Sequence, residues 1–252
     1  MNISWDAKGY RERFSFVHQY GEGVMELLTA KSGSRVIDLG CGNGALTRKL
    51  ADKGYRVMGV DASPEMIALA REAHPELTFS CEDALAFTLE KPADAIFSNA
   101  VFHWIDADKQ DALIANVARN LAPGGELVCE FGGYGNGEAV HGTLERCFEA
   151  RGLAYPRMFF FPTVGQYAPM LERHALLVEF AVLFDRPTPQ KSADGLNDWI
   201  RMFIKKPFEG MSEELKADIL REANDCLRDV LCTDGVWVID YVRIRLRARK
   251  IK

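Results

Sequence analysis

The sequence predicts an α/β fold in which seven strands form a mostly parallel, doubly wound sheet covered by helices on both faces. From residue 35, short β-branched runs alternate with amphipathic segments of helical period, a pattern typical of parallel strands joined by right-handed crossovers. The glycine-rich stretch GCGNG directly follows the first of these strands, where open parallel sheets place their binding loops. The 252 residues, 48 % of them hydrophobic, are enough for one large domain with its own core.

The first half of the chain supplies five of the strands. A helix is predicted over residues 7–30. Strands are predicted, in order, at RVIDL, YRVMGVD, LTFSCED, ADAIFSN and GELVCEF. The helices between them are predicted at GALTRKLADKG, SPEMIALAREAH and DKQDALIANVARNLAPGG. In the second of these helices, Ser63 has the position of an N-cap and Pro64 that of the first helical residue.

The regular alternation ends after Phe131. We expect a helix around residues 139–151, a stretch rich in proline and aromatic residues (YPRMFFFPTVGQYAPM) and a strand at LLVEFAVLFDRPTP. Two helical segments, GLNDWIRMF and SEELKADILREANDCLRDVL, precede the final strand VWVIDYVRIRLRARK. Residues 1–252 are therefore expected to form one domain. Its predicted parts are an N-terminal helical segment (1–34), the alternating core (35–131), an elaborated region (132–235) and a closing strand (236–252).

Composition argues against several classes of protein. The net charge of −5 disfavours nucleic acid as an obligatory partner. The first residues, MNISWDAKGYRERF, are charged where a secretory signal needs an apolar core, and no apolar run reaches membrane-spanning length. The six cysteines are scattered without a CxxC pair, which indicates reduced thiols rather than disulfides or a metal site. We therefore expect a cytoplasmic protein without a membrane partner or a metal.

The glycine loop alone leaves its ligand open. Gly40, Gly42 and Gly44 lie at the end of the first alternating strand, where ligands of open α/β sheets bind. The spacing Gly40-x-Gly42-x-x-Ala45, with Asp61 further on, also satisfies a relaxed dinucleotide fingerprint, as a nicotinamide-dependent oxidoreductase would have. A tight turn that needs positive φ is the structural alternative for these glycines.

Three polar stretches favour a cationic adenosine over a dinucleotide. Asp38 precedes the first glycine by two residues, and its carboxylate suits an ammonium group but repels a pyrophosphate. Asp83 follows the third strand, where it can accept from the exocyclic amine of adenine. The stretch FSNAVFHWI follows the fourth strand and places Asn99, His103 and Trp104 at the same edge. The glycine loop contains no Lys or Arg that would suit a phosphate.

In order and spacing, the stretches VIDLGCGNG, GVDAS, CEDA, FSNAVFHW and LAPGGELV resemble the motif series of class I S-adenosylmethionine-dependent methyltransferases. SNAVFHW is similar to the branch that includes trans-aconitate methyltransferase and the malonyl-carrier-protein methyltransferase of biotin synthesis. FVHQYG, CEFGGYGN, NDWIRMF and DYVRIRLRARK resemble stand-alone methyltransferases of that branch. The resemblance implies a Rossmann-like fold and S-adenosylmethionine as cofactor, with S-adenosylhomocysteine as product. It also implies a small-molecule acceptor, with a carboxylate suggested by the characterised relatives.

The cofactor assignments combine the residues with this resemblance. The Asp61 carboxylate can accept both ribose hydroxyls, and its alternative is a helix-capping acid before Ser63. Asp83 with Ala84 is assigned to adenine, and its alternative is a solvated loop acid. The N-terminal helix commonly lids the cofactor in this class, which adds His18 and Tyr20, with Tyr10 and Phe14 on the same helix. The predicted cofactor-binding residues are Asp38, Gly40, Cys41, Gly42, Asn43, Asp61, Ala62, Met66, Asp83, Ala84, Asn99, Ala100, Trp104, His18 and Tyr20.

The catalytic assignment stays open, with His103 and Trp104 as candidates. Trp104 can pack over a sulfonium by cation–π attraction, or it can be ordinary packing at a helix start. His103 can line the pocket or act as a base. A carboxylate acceptor would need no base because it is ionised at pH 7. A non-catalytic S-adenosylmethionine-binding regulatory protein is the alternative function.

The acceptor side has weaker signals. On the final strand, Arg243 and the following alternate arginines share one face. This face either guards an exposed sheet edge against aggregation or places Arg243 against an anionic substrate. The predicted substrate-binding residues are His103, Tyr134, Trp199 and Arg243. The sequence leaves the oligomeric state open.

Overall fold

The computed structural model describes residues 16–192 and 194–251, with side chains from Gly21 onward. Its α-helices are α1 (Phe16–Met25), α2 (Ala45–Asp52), α3 (Pro64–Ala73), α4 (Gln110–Asn120), α5 (Glu138–Glu149), α6 (Val164–Arg173), α7 (Gly195–Phe203) and α8 (Glu213–Leu231). Its strands are β1 (Arg35–Leu39), β2 (Arg56–Asp61), β3 (Thr78–Cys81), β4 (Ala93–Asn99), β5 (Leu121–Gly132), β6 (Leu176–Pro189), β7 (Cys232–Thr233) and β8 (Val236–Lys250). Short 3₁₀ turns occupy Phe102–Trp104, Ala107–Lys109 and Lys206–Phe208.

The strands form one sheet in the order β3-β2-β1-β4-β5-β8-β6, with the short β7 paired to β8. Neighbours from β3 through β5 are parallel, and β8 joins β5 antiparallel. The predicted doubly wound, mostly parallel sheet is confirmed. Chain order reverses between β1 and β4, so the carboxyl ends of these two strands form the switch point at which such sheets bind ligands.

Both faces of the sheet are buried, as a doubly wound architecture requires. On β1, Ile37 belongs to one apolar cluster and Val36 to another. On β5, Leu127 and Val128 divide between the same two clusters. Successive strand residues point to opposite faces, and this alternation supports a layer of helices on each side.

The chain forms two compact units. The first contains the described residues through Tyr134, together with 159–183 and the chain from Arg243 onward. The second contains Gly135–Met158 and Phe184–Val242. The expectation of a single domain over 1–252, with its predicted internal boundaries, stays a prediction.

Several predicted elements match the observed ones, and the largest differences fall next to prolines. The α3 cap is as predicted, because Ser63 Oγ accepts from Met66 N at 3.2 Å. The helix predicted through residue 125 ends at Asn120, since Pro123 cannot continue it and Gly124 has φ +78°. No helix was predicted in the aromatic stretch, yet α6 forms there and begins with a capping box of Thr163 and Gln166.

The arginine face of β8 does not guard a sheet edge, and that interpretation is wrong. Strand β8 lies between β5 and β6, so neither of its sides is an open edge. Arg245 forms an ion pair with Glu130 at 2.6 Å, and Arg249 forms one with Glu179 at 2.7 Å. These arginines pair with carboxylates inside the sheet.

No helix in 16–192 or 194–251 has both the length and the apolar character needed to cross a membrane. The same residues contain no group of three or more His, Cys, Asp or Glu side chains that could bind a metal ion.

Candidate active site

The glycine loop joins β1 to α2 at the switch point. Gly40 N and Cys41 N both donate to Val60 O, at 2.7 and 3.1 Å, which ties the loop to the end of β2. Gly40, Gly42 and Gly44 all have positive φ, a conformation that favours glycine. The predicted turn geometry is therefore present at each glycine of the motif.

The three glycines differ in what a side chain would meet. A Cβ on Gly40 would lie 2.1 Å from Val101 Cγ2, and one on Gly44 would lie 2.8 Å from Phe79 Cζ. A Cβ on Gly42 would have no heavy atom within 4 Å. Packing alone thus requires glycine at Gly40 and Gly44, whereas the backbone of Gly42 borders open space that a ligand can enter.

Asp61 at the end of β2 is buried beside this open space. Its Oδ2 accepts from Gly42 N at 2.9 Å, and its Oδ1 accepts from Ser63 N at 2.8 Å. Burial raises the pKa of Asp61, and the backbone hydrogen bonds partly offset that rise. This contact with Ser63, the N-cap residue of α3, is what the alternative role of Asp61 as a helix-capping acid predicts. Each carboxylate oxygen still has a second lone pair for a hydroxyl donor.

Asp38 on β1 is the more deeply buried carboxyl, with 1 % of its surface exposed. Its Oδ2 accepts from Thr47 Oγ1 at 2.6 Å. Burial raises the pKa of Asp38 to about 7, and the nearby Asp61 carboxylate contributes to the rise. A cationic ligand group would favour the ionised form. The adjacent Cys41 thiol has a raised pKa through burial, which makes it a poor nucleophile.

The predicted adenine side follows β3. Glu82 N donates to Asp61 O at 3.0 Å, which fastens this loop to the end of β2. Asp83 is exposed and its Oδ1 accepts from Leu85 N at 2.9 Å, while Ala84 is buried. In the glycine loop, Asn43 Oδ1 accepts from Ala45 N. Ala62, which follows β2, is half-buried, and Met66 on α3 is buried.

The end of β4 has an unusual backbone. Ala100 has φ +61°, a region that L-residues other than glycine rarely adopt. Its N–H donates to Glu130 O at 2.7 Å, and its carbonyl accepts from Trp104 Nε1 at 3.1 Å. Two strong hydrogen bonds therefore hold a strained peptide beside Asn99, which is half-buried.

Helix α1 packs closely on this edge. A Cβ on Gly21 would lie 2.6 Å from Leu46 Cδ1 and 3.3 Å from Asn99 Nδ2. Arg245 Nη1 donates to Gly23 O at 3.1 Å, which fixes the helix to β8. The backbone of α1 thus passes the end of β4, as a lid would. The side chains of His18 and Tyr20 lie outside the described part of the chain, as do Tyr10 and Phe14, and their assignments stay predictions.

His103 is buried and has a defined hydrogen-bond role. Its Nδ1 accepts from Gly132 N at 3.0 Å. Burial lowers the pKa of His103 well below 6.5, and the positive charge of Arg243 lowers it further. Neutral His103 therefore has its proton on Nε2, from which it can donate but not accept. This geometry favours the pocket-lining role over the general-base role.

Trp104, a candidate for both catalysis and cofactor binding, lies in an aromatic group. Its ring is 4.9 Å from that of Phe159 in an edge-on arrangement, and 5.3 Å from that of His103. The Phe161 ring lies 5.9 Å from His103 and stacks on Phe159 at 5.3 Å and 7°. Phe159 and Phe161 are not among the residues predicted from the sequence. We call His103, Trp104, Phe159, Phe161 and Arg243 the His103 cluster.

The predicted substrate residues have different surroundings within their own units. Arg243 is 8 % exposed and pairs in the sheet with Gly132, the residue that hydrogen-bonds to His103. Tyr134 is 65 % exposed. Trp199 is buried in the second unit, where its Nε1 donates to Tyr241 Oη and its ring lies edge-on to His141. Packing within the second unit accounts for the burial of Trp199, and its substrate role stays a prediction, as does that of Tyr134.

Comparisons with known proteins place the chain among methyltransferases. A family model described as a methyltransferase domain matches residues 36–125. An uncharacterized methyltransferase of Schizosaccharomyces pombe is 31 % identical and covers 98 % of both chains. Trans-aconitate 2-methyltransferase of Variovorax paradoxus is 26 % identical, over 98 % of this chain and 99 % of its own. A phosphoethanolamine N-methyltransferase 2 of Haemonchus contortus, solved with S-adenosylhomocysteine, superposes with a TM-score of 0.61 at 17 % identity. The superposed region covers 98 % of this chain and 57 % of the chain in that structure.

S-adenosylmethionine fits the residues present at the switch point. Open space borders Gly42, two buried carboxyls suit a ligand with cationic groups, and the loop lacks the Lys or Arg that a pyrophosphate favours. The family assignment makes the chain a methyltransferase enzyme, as the resemblance implied, and gives no support to a nicotinamide-dependent oxidoreductase. The chain belongs to the class I S-adenosylmethionine-dependent methyltransferases, and S-adenosylmethionine is its cofactor.

Proposed function

We propose that this methyltransferase methylates the carboxylate of a small organic acid. The observation that carries the proposal is the sheet register that pairs Arg243 with Gly132, whose N–H donates to His103 Nδ1 at 3.0 Å. A guanidinium and a neutral imidazole with its proton on Nε2 are both hydrogen-bond donors, and together they suit an anionic acceptor. The name of the Variovorax paradoxus relative, aligned over nearly its whole length, identifies an acid as that protein's acceptor.

The cofactor would lie along the carboxyl ends of β1 to β4. Asp61 would accept from the ribose hydroxyls, and Asp38 would face the ammonium group of the methionine portion. Asp83 and Ala84 would bind adenine. When bound, S-adenosylmethionine supplies a methyl group on a sulfonium, and transfer forms an O–C bond while the C–S electron pair returns to sulfur.

The chain's own task is to orient the acceptor and exclude water. Arg243 and His103 Nε2 would hold the acceptor carboxylate, and Trp104 and Phe159 would shield the reacting oxygen from solvent. No proton has to be removed, because a carboxylate is already ionised at pH 7. A base is therefore unnecessary, which agrees with the use of the His103 Nδ1 lone pair by Gly132.

An acceptor competition tests this proposal. Enzyme and methyl-labelled cofactor would be incubated with equal concentrations of small carboxylic acids, phenols and amines. We expect most of the transferred label to be released as methanol by mild alkali, since methyl esters hydrolyse and methyl ethers and methylamines do not. Label that stays in base-stable product would contradict a carboxylate acceptor.

A further inference from the structure

Helix α1 ends against strand β8, whose arginines bind carbonyl groups at the end of the helix. The final carbonyls of an α-helix have no partner within the helix and carry partial negative charge, which favours a cation there. Arg245 Nη1 donates to Gly23 O at 3.1 Å. Just beyond the helix, Arg247 Nη1 donates to Leu27 O at 3.4 Å. Arg245 therefore fixes the last turn of α1 to the sheet.

The Arg245 guanidinium is itself oriented by Glu130 on β5. The two residues are paired across the strands, and Arg245 Nε and Nη2 lie 2.7 and 2.6 Å from Glu130 Oε2. The Glu130 side chain is 2 % exposed, and that of Arg245 is 19 % exposed. Because solvent screens a buried pair only weakly, this ion pair holds the guanidinium in the orientation that brings Nη1 to α1.

Glu130 also binds the cofactor edge of the sheet through its backbone. Its carbonyl accepts from Ala100 N at 2.7 Å, and Ala100 is the residue with φ +61° that follows Asn99. Glu130 thus contributes its carbonyl to the strained end of β4 and its carboxylate to the arginine that binds α1. The end of β4 and the end of α1 are therefore linked through Glu130 and Arg245.

Helix α1 meets the switch point two residues before Gly23. A Cβ on Gly21 would lie 2.6 Å from Leu46 Cδ1, at the start of α2, and 3.3 Å from Asn99 Nδ2. The helix backbone therefore lies against both the end of β4 and the helix that follows the glycine loop. A cofactor bound along these strand ends would be released more easily if α1 moved away.

We propose that Arg245 and Glu130 are positioning residues that hold α1 against the cofactor edge and thereby slow the release of the cofactor. Both residues act through α1 and Ala100 rather than through a contact with the cofactor. The inference concerns the binding of S-adenosylmethionine and S-adenosylhomocysteine alone, so it does not depend on which acceptor is methylated.

The dissociation rate of S-adenosylhomocysteine tests this role. Protein saturated with labelled S-adenosylhomocysteine would be chased with an excess of the unlabelled ligand. The main variant is Glu130→Gln/Arg245→Met, which removes both charges together, keeps the backbone carbonyl at position 130 and removes the donor to Gly23 O. We expect dissociation to become about tenfold faster, as for the loss of one charge-assisted hydrogen bond, while the association rate stays within about twofold.

Glu179→Gln/Arg249→Met is the matched control. It removes a second ion pair of β8, at 2.7 Å, that lies toward the other end of the strand. Both double variants should melt at a lower temperature than the wild type, but only the main variant should release S-adenosylhomocysteine faster. Hydrogen exchange at the amides of residues 21–25 should also be faster in the main variant alone, with and without ligand.

A second variant is used if thermal melting shows that the main variant does not fold. Arg245→Lys keeps a charge opposite Glu130, but its single ammonium cannot replace the guanidinium fork and the bond to Gly23 O together. It should speed dissociation by at least about threefold. Dissociation less than about threefold faster than in the wild type would overturn the proposal, as would equal acceleration in the control. Unchanged hydrogen exchange at residues 21–25 would overturn it as well.

Discussion

The glycine-loop edge and the His103 cluster lie at the same side of one sheet but are assembled differently. At the glycine-loop edge, Asp38 and Gly42 lie within one short stretch, and the N–H of Gly42 donates to the Asp61 carboxylate. The His103 cluster brings together residues that are far apart in the sequence. Its first and last members, His103 and Arg243, are 140 positions apart. The first region depends on local backbone conformation, and the second depends on sheet register. Substitutions in the two regions should therefore affect cofactor binding and acceptor binding separately.

The largest effect at the glycine-loop edge is expected from Asp61→Ala. Loss of two charge-assisted hydrogen bonds to ribose should weaken S-adenosylhomocysteine binding by about a hundredfold or more, measured by calorimetry. The melting temperature should fall too, because Gly42 N and Ser63 N lose their acceptor. Glu72→Ala, at an exposed position of α3, is the control and should bind normally. A Kd for Asp61→Ala within threefold of wild type would refute the ribose role.

The next effect separates two glycines of the same loop. Gly40→Ala should lower the free energy of unfolding by more than about 2 kcal/mol, because its Cβ would collide with Val101 at a positive φ. Gly42→Ala should cost about 1–2 kcal/mol through its positive φ alone. Its Cβ would nevertheless occupy the open space and weaken S-adenosylhomocysteine binding about tenfold. Denaturant titration and calorimetry measure the two effects. Equal behaviour of both variants would show that Gly42 does not face the cofactor.

The smallest effect is a pH dependence that arises from Asp38. Its pKa is about 7 in the folded protein against 3.8 for an ordinary aspartate, so between these values the folded state retains a proton that the unfolded state releases. Its contribution to stability is therefore present below about pH 4 and is lost as the pH rises through 7. The ammonium of the ligand favours the carboxylate, so affinity for S-adenosylhomocysteine should rise severalfold from pH 6 to 8, with proton release.

Asp38→Asn tests this origin because it keeps the shape and removes the titration. Calorimetry in two buffers of different ionisation enthalpy should detect proton uptake by buffer with wild type and almost none with the variant. Thr47→Val removes the hydrogen bond that lowers the pKa of Asp38, and should shift the affinity profile to higher pH. An unchanged profile in Asp38→Asn would assign the pH dependence to another group.

The glycine-loop edge could be predicted from the sequence because it depends on local patterns, whereas the His103 cluster depends on long-range pairing. The strands, the Ser63 cap and the loop with Asp61 follow from local patterns, and the structure reproduces them. The pairing of Gly132 with Arg243 depends on the register of β5 against β8, which is a long-range choice invisible in a local pattern. Phe159 and Phe161 had a signal in the run FFFP, because successive residues of an extended segment face opposite sides and these two therefore share one side. The prolines that flank this run hide both the extended segment and α6 in the local pattern.

Arg243→Met is the measurement that tests the account most directly. Arg249→Met is its control, because Arg249 lies on the same strand and pairs with Glu179 away from the His103 cluster. With an acid that the wild-type enzyme methylates, Arg243→Met should lower kcat/KM by at least about a hundredfold, mainly through KM, and Arg243→Lys should recover part of the loss. Arg249→Met should stay within about twofold, and S-adenosylhomocysteine affinity should be normal in all three. If Arg243→Met and Arg249→Met turn over the acid equally well, Arg243 does not bind the acceptor.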